Sequence, residues 1–68
     1  MTLQEIKDVV RNGKKVHWSS KSYEVVLHNF TSGEEQWLIK FIPNGHYIGL
    51  TWEDGVTMNG KEEDFFVG

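Results

Sequence analysis

Residues 35–52 read EQWLIKFIPNGHYIGLTW. Two runs of alternating character flank Asn44-Gly45. Alternation with a period of two sends successive side chains to opposite faces of a strand. Asn and Gly both accept positive φ, which a two-residue hairpin turn demands. Such a turn sets Phe41 opposite Ile48, Ile39 opposite Leu50 and Trp37 opposite Trp52. Every pair on that face is apolar, and a slip of one residue destroys the agreement.

The pattern extends in both directions. Thr31-Ser32-Gly33 suits a three-residue loop with Gly in the left-handed last position. It sets Leu27 opposite Trp37, Val25 opposite Ile39 and Tyr23 opposite Phe41. On the other face it places Glu24 across from Lys40, an opposite-charge pair. A four-residue loop at Ser19–Ser22 pairs Trp18 with Tyr23 and Val16 with Val25. Downstream, Glu53-Asp54-Gly55 repeats the three-residue pattern and sets Val56 opposite Trp52 and Met58 opposite Leu50. These four turns select one common face: Val16, Trp18, Tyr23, Val25, Leu27, Trp37, Ile39, Phe41, Ile48, Leu50, Trp52, Val56 and Met58. Agreement of turn chemistry with apolar patterning is what a foldable sequence requires.

A helix is expected to cover this face. Thr2-Leu3-Gln4-Glu5 reads as a capping box, in which the Thr2 hydroxyl and the Glu5 carboxylate each accept from the other residue's amide. Leu3, Ile6, Val9 and Val10 recur at helical spacing. Asn12-Gly13 ends the run, because Gly tolerates the left-handed conformation beyond a helix. Arg11 in the last turn suits the helix dipole. A helix over residues 2–12 is too short to stand alone and must dock. The expected fold is α+β: an N-terminal helix packed on an antiparallel five-strand meander, as a two-layer sandwich or a small SH3-like barrel. Residues 59–68 carry a turn at Asn59-Gly60, the polar run Lys61–Asp64 and the apolar end Phe65-Phe66-Val67.

The chain has 68 residues and no cysteine. One domain spanning residues 1–68 is expected, with neither disulfides nor thiolate chemistry. No apolar run is long enough for a membrane helix or a secretory core, so a cytoplasmic protein without membrane contact is expected. Residues 1–33 carry five basic and three acidic groups, a net +2; residues 34–68 carry two basic and seven acidic groups, a net −5. This balance disfavours nucleic acid, which asks for a basic face to displace counterions. Arg11, Lys14, Lys15 and Lys21 form the one local basic cluster.

Catalytic and ligand-holding patterns are missing. His17, His28 and His46 stand at no metal-ligand spacing. His17-Trp18-Ser19 is proximity without a nucleophile elbow. Glu34-Glu35, Glu53-Asp54 and Glu62-Glu63-Asp64 fall in turns and polar runs, where solvated charge is the ordinary state. The glycines are dispersed singly, so no phosphate loop is formed. We therefore expect no enzyme, no cofactor and no metal.

The face opposite the helix is the unusual surface. A sheet with one solvated face carries mostly polar side chains there. Here Val26, Phe30, Leu38, Ile42 and Tyr47 are apolar or aromatic, interleaved with His28 and Lys40. These seven residues are the candidate interaction face. Its cover is the C-terminal Phe65-Phe66-Val67, a second copy of the chain in a homodimer, or a protein partner. The expected function is a small protein-interaction domain. Phe30, Tyr47 and His28 also invite comparison with base-stacking modules, which leaves a single-stranded nucleic-acid-binding β-module as the alternative. A small homodimeric structural protein is a further one.

The series Gly13-Lys14-Lys15-Val16-His17-Trp18, Tyr23-Glu24-Val25, Asn44-Gly45, Ile48-Gly49-Leu50-Thr51-Trp52-Glu53-Asp54-Gly55 and Asp64-Phe65-Phe66-Val67 resembles short uncharacterised proteins of bacteria and their phages or prophages. The likeness covers nearly the whole chain. Its motifs are turns and core aromatics, so it implies no activity. It does imply an accessory role, in which a small protein binds and modulates a host protein.

Overall fold

The capping box forms as the sequence demands. In the computed structural model, which describes residues 1–68, Thr2 is the N-cap of helix α1, Leu3–Arg11, and both reciprocal hydrogen bonds with Glu5 are present. Asn12 closes the helix, and Gly13 follows at a φ of 82°. The apolar stripe turns Ile6 fully inward, with Leu3, Val9 and Val10 packed around it.

Five strands follow: β1 Val16–Trp18, β2 Ser20–Asn29, β3 Glu35–Phe41, β4 His46–Gly49 and β5 Phe65–Val67. They form one antiparallel sheet in the order β4-β3-β2-β1-β5. The fold is α+β, a helix on one face of an open sheet rather than a closed barrel. The first four strands are a meander. The fifth is the C-terminal segment, which crosses to the far edge and pairs with β1. The hairpin expected after Trp52 yields only a bridge between Thr51 and Met58.

The β2–β3 register matches the expectation from Thr31-Ser32-Gly33. Leu27 faces Trp37, Val25 faces Ile39, Tyr23 faces Phe41 and Glu24 faces Lys40, with Gly33 at a φ of 88°. The β3–β4 register differs by two residues: Ile39 faces Ile48 and Phe41 faces His46. The cause is Pro43. A two-residue turn at Asn44-Gly45 would seat Pro43 against His46 in the ladder, where an N–H is required and proline has none. Ile42–Gly45 become the loop instead, closed by the Gly45 amide donating to the Phe41 carbonyl. A shift of two preserves which face each side chain takes.

The second difference, in the hairpin after Trp52, is a slip of one. The Trp52 amide donates to the Thr57 carbonyl, so the loop holds four residues, Glu53–Val56. Asp54 causes this, because its carboxylate accepts from the Val56 and Thr57 amides and from the Thr57 hydroxyl. Trp52 and Val56 leave the core face and stand exposed. At the β1–β2 corner Ser19 alone makes the turn, at a φ of 64°, a conformation that a non-glycine residue adopts at some cost. The pairing is irregular there, with Trp18 beside Ser20. His17 still faces Glu24, and the Trp18 and Tyr23 rings meet edge to face, their centroids 5.0 Å apart.

The core is the space between α1 and the sheet. Ile6, Val16, Val25, Ile39, Leu50 and Phe65 fill it, with Trp18, Tyr23, Trp37 and Met58 around them. Ile48, expected inside, is exposed on the short edge strand β4.

Candidate functional site

Strand alternation builds the outer face in rows. Tyr47, Lys40, Glu24, His17 and Phe66 form one row across all five strands. Gly49, Leu38 and Val26 form the next, followed by Gln36 and His28. All seven candidate residues, Val26, His28, Phe30, Leu38, Lys40, Ile42 and Tyr47, belong to this side of the sheet or to the strand ends that continue it. Phe30, Ile42 and Tyr47 expose 49%, 47% and 45% of their surface. Leu38 is buried, and Val26, His28 and Lys40 are half-buried.

Leu38 is shielded by its neighbours. The Tyr47 ring reaches the His28 ring, edge to face at 5.1 Å, and so spans the Leu38 row. Gly49 lies in that row and offers no side chain to obstruct the crossing. The Lys40 ammonium sits 5.9 Å from the Tyr47 ring centre, a favourable cation–π placement. Among these seven, the exposed apolar groups are thus Tyr47 near the β4 edge, with Phe30 and Ile42 at opposite ends of the β2–β3 pair.

Phe65-Phe66-Val67 does not fold over this face. Phe65 enters the core, and Phe66 continues the outer row beside His17, ring centres 5.5 Å apart. His17 is buried, and its Nδ1 lies 3.0 Å from the Tyr23 carbonyl oxygen. That oxygen can only accept, so Nδ1 carries the proton. A Cβ built on Gly68 would lie 2.2 Å from the His17 ring, so the chain passes the imidazole there as bare backbone. His28 meets Tyr47, and His46 lies at the start of β4. No three His, Cys, Asp or Glu side chains come together as metal ligands.

A second feature lies at the other end of β3. A cavity of about 370 Å³ opens between Glu35–Leu38 and the segment from Gly49 to Gly55, with Lys7 of α1 contributing to its wall. Trp37 and Trp52 both line it. The Trp37 ring already carries Lys7 Nζ at 5.7 Å and Arg11 Cζ at 5.4 Å from its centre, and Arg11 is paired with Glu35 at 2.8 Å. Trp52 is 63% exposed. Sequence patterning assigns both tryptophans to the core and so misses this groove. Asp54 three residues before Thr57 is the signal for the longer loop that turns Trp52 outward, because an aspartate caps the amides two and three positions on. Those bonds, the Thr57 hydroxyl foremost, hold the Asp54 carboxyl below its ordinary pKa.

Comparison with protein-family models, curated proteins and solved structures finds no match to this chain.

Proposed function

We propose that this chain is a small non-enzymatic protein-binding domain that docks through the outer face of its sheet. It would serve as a phage or prophage accessory factor acting on a host protein in the cytoplasm. The observation that supports this most is the course of Phe65-Phe66-Val67. That segment builds an edge strand beside β1 and leaves Phe30, Ile42 and Tyr47 open to water. Half-exposed aromatic and aliphatic side chains rimmed by Lys40, His28 and Gln36 have the composition of an interaction surface. Glu24 beside Lys40 in the same row speaks against a phosphate backbone as the partner. No helix is long and apolar enough to cross a membrane.

The test uses Phe30→Glu and Ile42→Glu, since both side chains are half-exposed and tolerate charge without loss of the core. Leu38 is unsuitable because it is buried. Wild-type protein and both variants would be used to capture partners from host extract treated with nuclease. The reading expects a discrete protein retained by wild type and lost by both variants, with unchanged thermal unfolding. Retention by all three, or retention that nuclease removes, refutes it. A sedimentation coefficient that rises with concentration, and is normal in the variants, assigns the face to a second copy instead.

A further inference from the structure

The ladder between β3 and β4 stops short. β3 runs for seven residues and β4 for four. Backbone groups of a strand point alternately to one neighbour and the other. The Ile42 amide donates to Ser22 and the Phe30 amide to Glu34, so the even-numbered residues of β3 bond to β2. The odd-numbered residues face the β4 side. Ile39 and Phe41 meet Ile48 and His46 there. Trp37 meets only Leu50, whose amide donates to the Trp37 carbonyl at 3.1 Å. The chain then turns away, the Leu50 carbonyl accepting from Asn59 and the Trp52 amide donating to Thr57. The Trp37 amide and both backbone groups of Glu35 have no protein partner.

These three unpaired groups border the cavity between Trp37 and Trp52. Its rim is acidic. Glu53 lines it without an ion-pair partner, and Glu34 and Asp54 adjoin it in sequence. Trp37 holds two cationic side chains against its ring, and Trp52 holds none. We propose that this gap receives an extended peptide segment with basic side chains at alternate positions, added as a strand to the free end of β3. Main-chain bonds to Glu35 and Trp37 would supply the pairing. Alternate basic side chains would lie along Trp52 and Glu53, repeating the stacking that Lys7 and Arg11 make on Trp37. Glu53 beside Trp52 disfavours phosphate-bearing ligands at that end. The site adjoins the outer face at Gln36, Leu38 and Gly49, but its pairing groups lie on the strand edge and it does not depend on that reading.

The test is an amide NMR titration of the full chain with the capped peptide Thr-Lys-Thr-Lys-Val-Lys at up to millimolar concentration. Saturable shifts are expected at the Glu35 and Trp37 amides and at the Trp52 indole N–H. A peptide with Glu in place of Lys, and one N-methylated at alternate residues, should both fail to bind. Trp52→Ala, at an exposed position, should weaken binding by about tenfold, while Ile42→Glu leaves it unchanged. Absence of shifts at Glu35 and Trp37 overturns the proposal, as does equal binding of the N-methylated peptide. Shifts that appear with protein concentration alone assign the gap to a second copy, and a stronger response to oligo-dT assigns it to nucleic acid; either overturns the proposal.

Discussion

The Glu5 carboxylate accepts a hydrogen bond from the Thr2 amide at 2.9 Å, while the Thr2 hydroxyl accepts one from the Glu5 amide at 3.2 Å. Each residue satisfies a donor that the first helical turn leaves open. Thr2→Ala should therefore cost about 0.5–2 kcal/mol, read by urea unfolding. Exchange at the Glu5 amide should quicken while Val9 stays protected. Unchanged exchange at Glu5 would show that the cap does not hold in solution.

The same pair sets an acid response. Bonds from the Thr2 amide, then the Thr2 hydroxyl, hold the Glu5 pKa below its ordinary value. A depressed folded-state pKa gives stability that is fully present above the unfolded-chain value and is lost as pH falls through the folded one. Thr2→Ala should remove part of the acid-side decline in stability, and Glu5→Gln should remove the Glu5 share of it. A decline identical in wild type and Glu5→Gln would contradict the assignment.

Ile39 and Ile48 face each other, yet their contributions should differ sharply. Ile39 is fully buried among Ile6, Val25 and Leu50, whereas Ile48 is exposed. Ile39→Ala should cost about 2–5 kcal/mol, a large share of the stability of a chain this size. Ile48→Ala should cost well under half as much. Equal losses in chemical denaturation would mean that β4 is covered in solution.

Phe65 and Phe66 make a second contrasting pair. Phe65 belongs to the core, and Phe66 lies on the outer row. Phe65→Ala should cost about 3–5 kcal/mol and Phe66→Ala much less. Deleting residues 64–68 should destabilise the monomer because it empties the core, not because it uncovers the outer face. A stable deletion variant with an unaltered melting temperature would refute the placement of β5.

Gly60 lies against the Trp18 indole, and a Cβ built there would stand 2.5 Å from Nε1. That nitrogen is buried and has no hydrogen-bond partner. Gly60→Ala should displace the ring, lower the melting temperature and shift tryptophan emission. A variant with wild-type emission and stability would show that the loop yields instead of the indole.

How far the sequence could be read depended on the kind of signal each segment carries. The loop at Thr31-Ser32-Gly33 has its glycine where positive φ is needed, and the seven residue pairs that follow from it are all in place. The apolar face survived at Ile39 and Phe41 because the Pro43 correction moved the partner by an even number. It failed at Trp52 and Val56 because the Asp54 side chain added a single residue to the loop, which reverses the faces. The outer residues Val26, Phe30, Leu38, Ile42 and Tyr47 share one side of the sheet, as alternation requires, but alternation says nothing of how Tyr47 reclines over Leu38 toward His28. The seat of Phe65 beside Trp18 was not legible, since no turn links β5 to β1 and long-range pairing leaves no local mark. The groove at Trp37 and Trp52 has a different origin: β4 stops before β3 does, and the Asp54 loop turns Trp52 outward.

Strand β5 also bears on how the chain is made. Val16 pairs with Val67, so β1 has no neighbour on that side until Phe65–Val67 have been made. The local hairpins of β2, β3 and β4 can close as they leave the ribosome, whereas β1 waits as a bare edge with Trp18 at its end. Exposed edges of this kind recruit other strands. A chain lacking Phe65–Val67 is therefore the form most prone to aggregate, and this three-residue strand acts as the seal on β1.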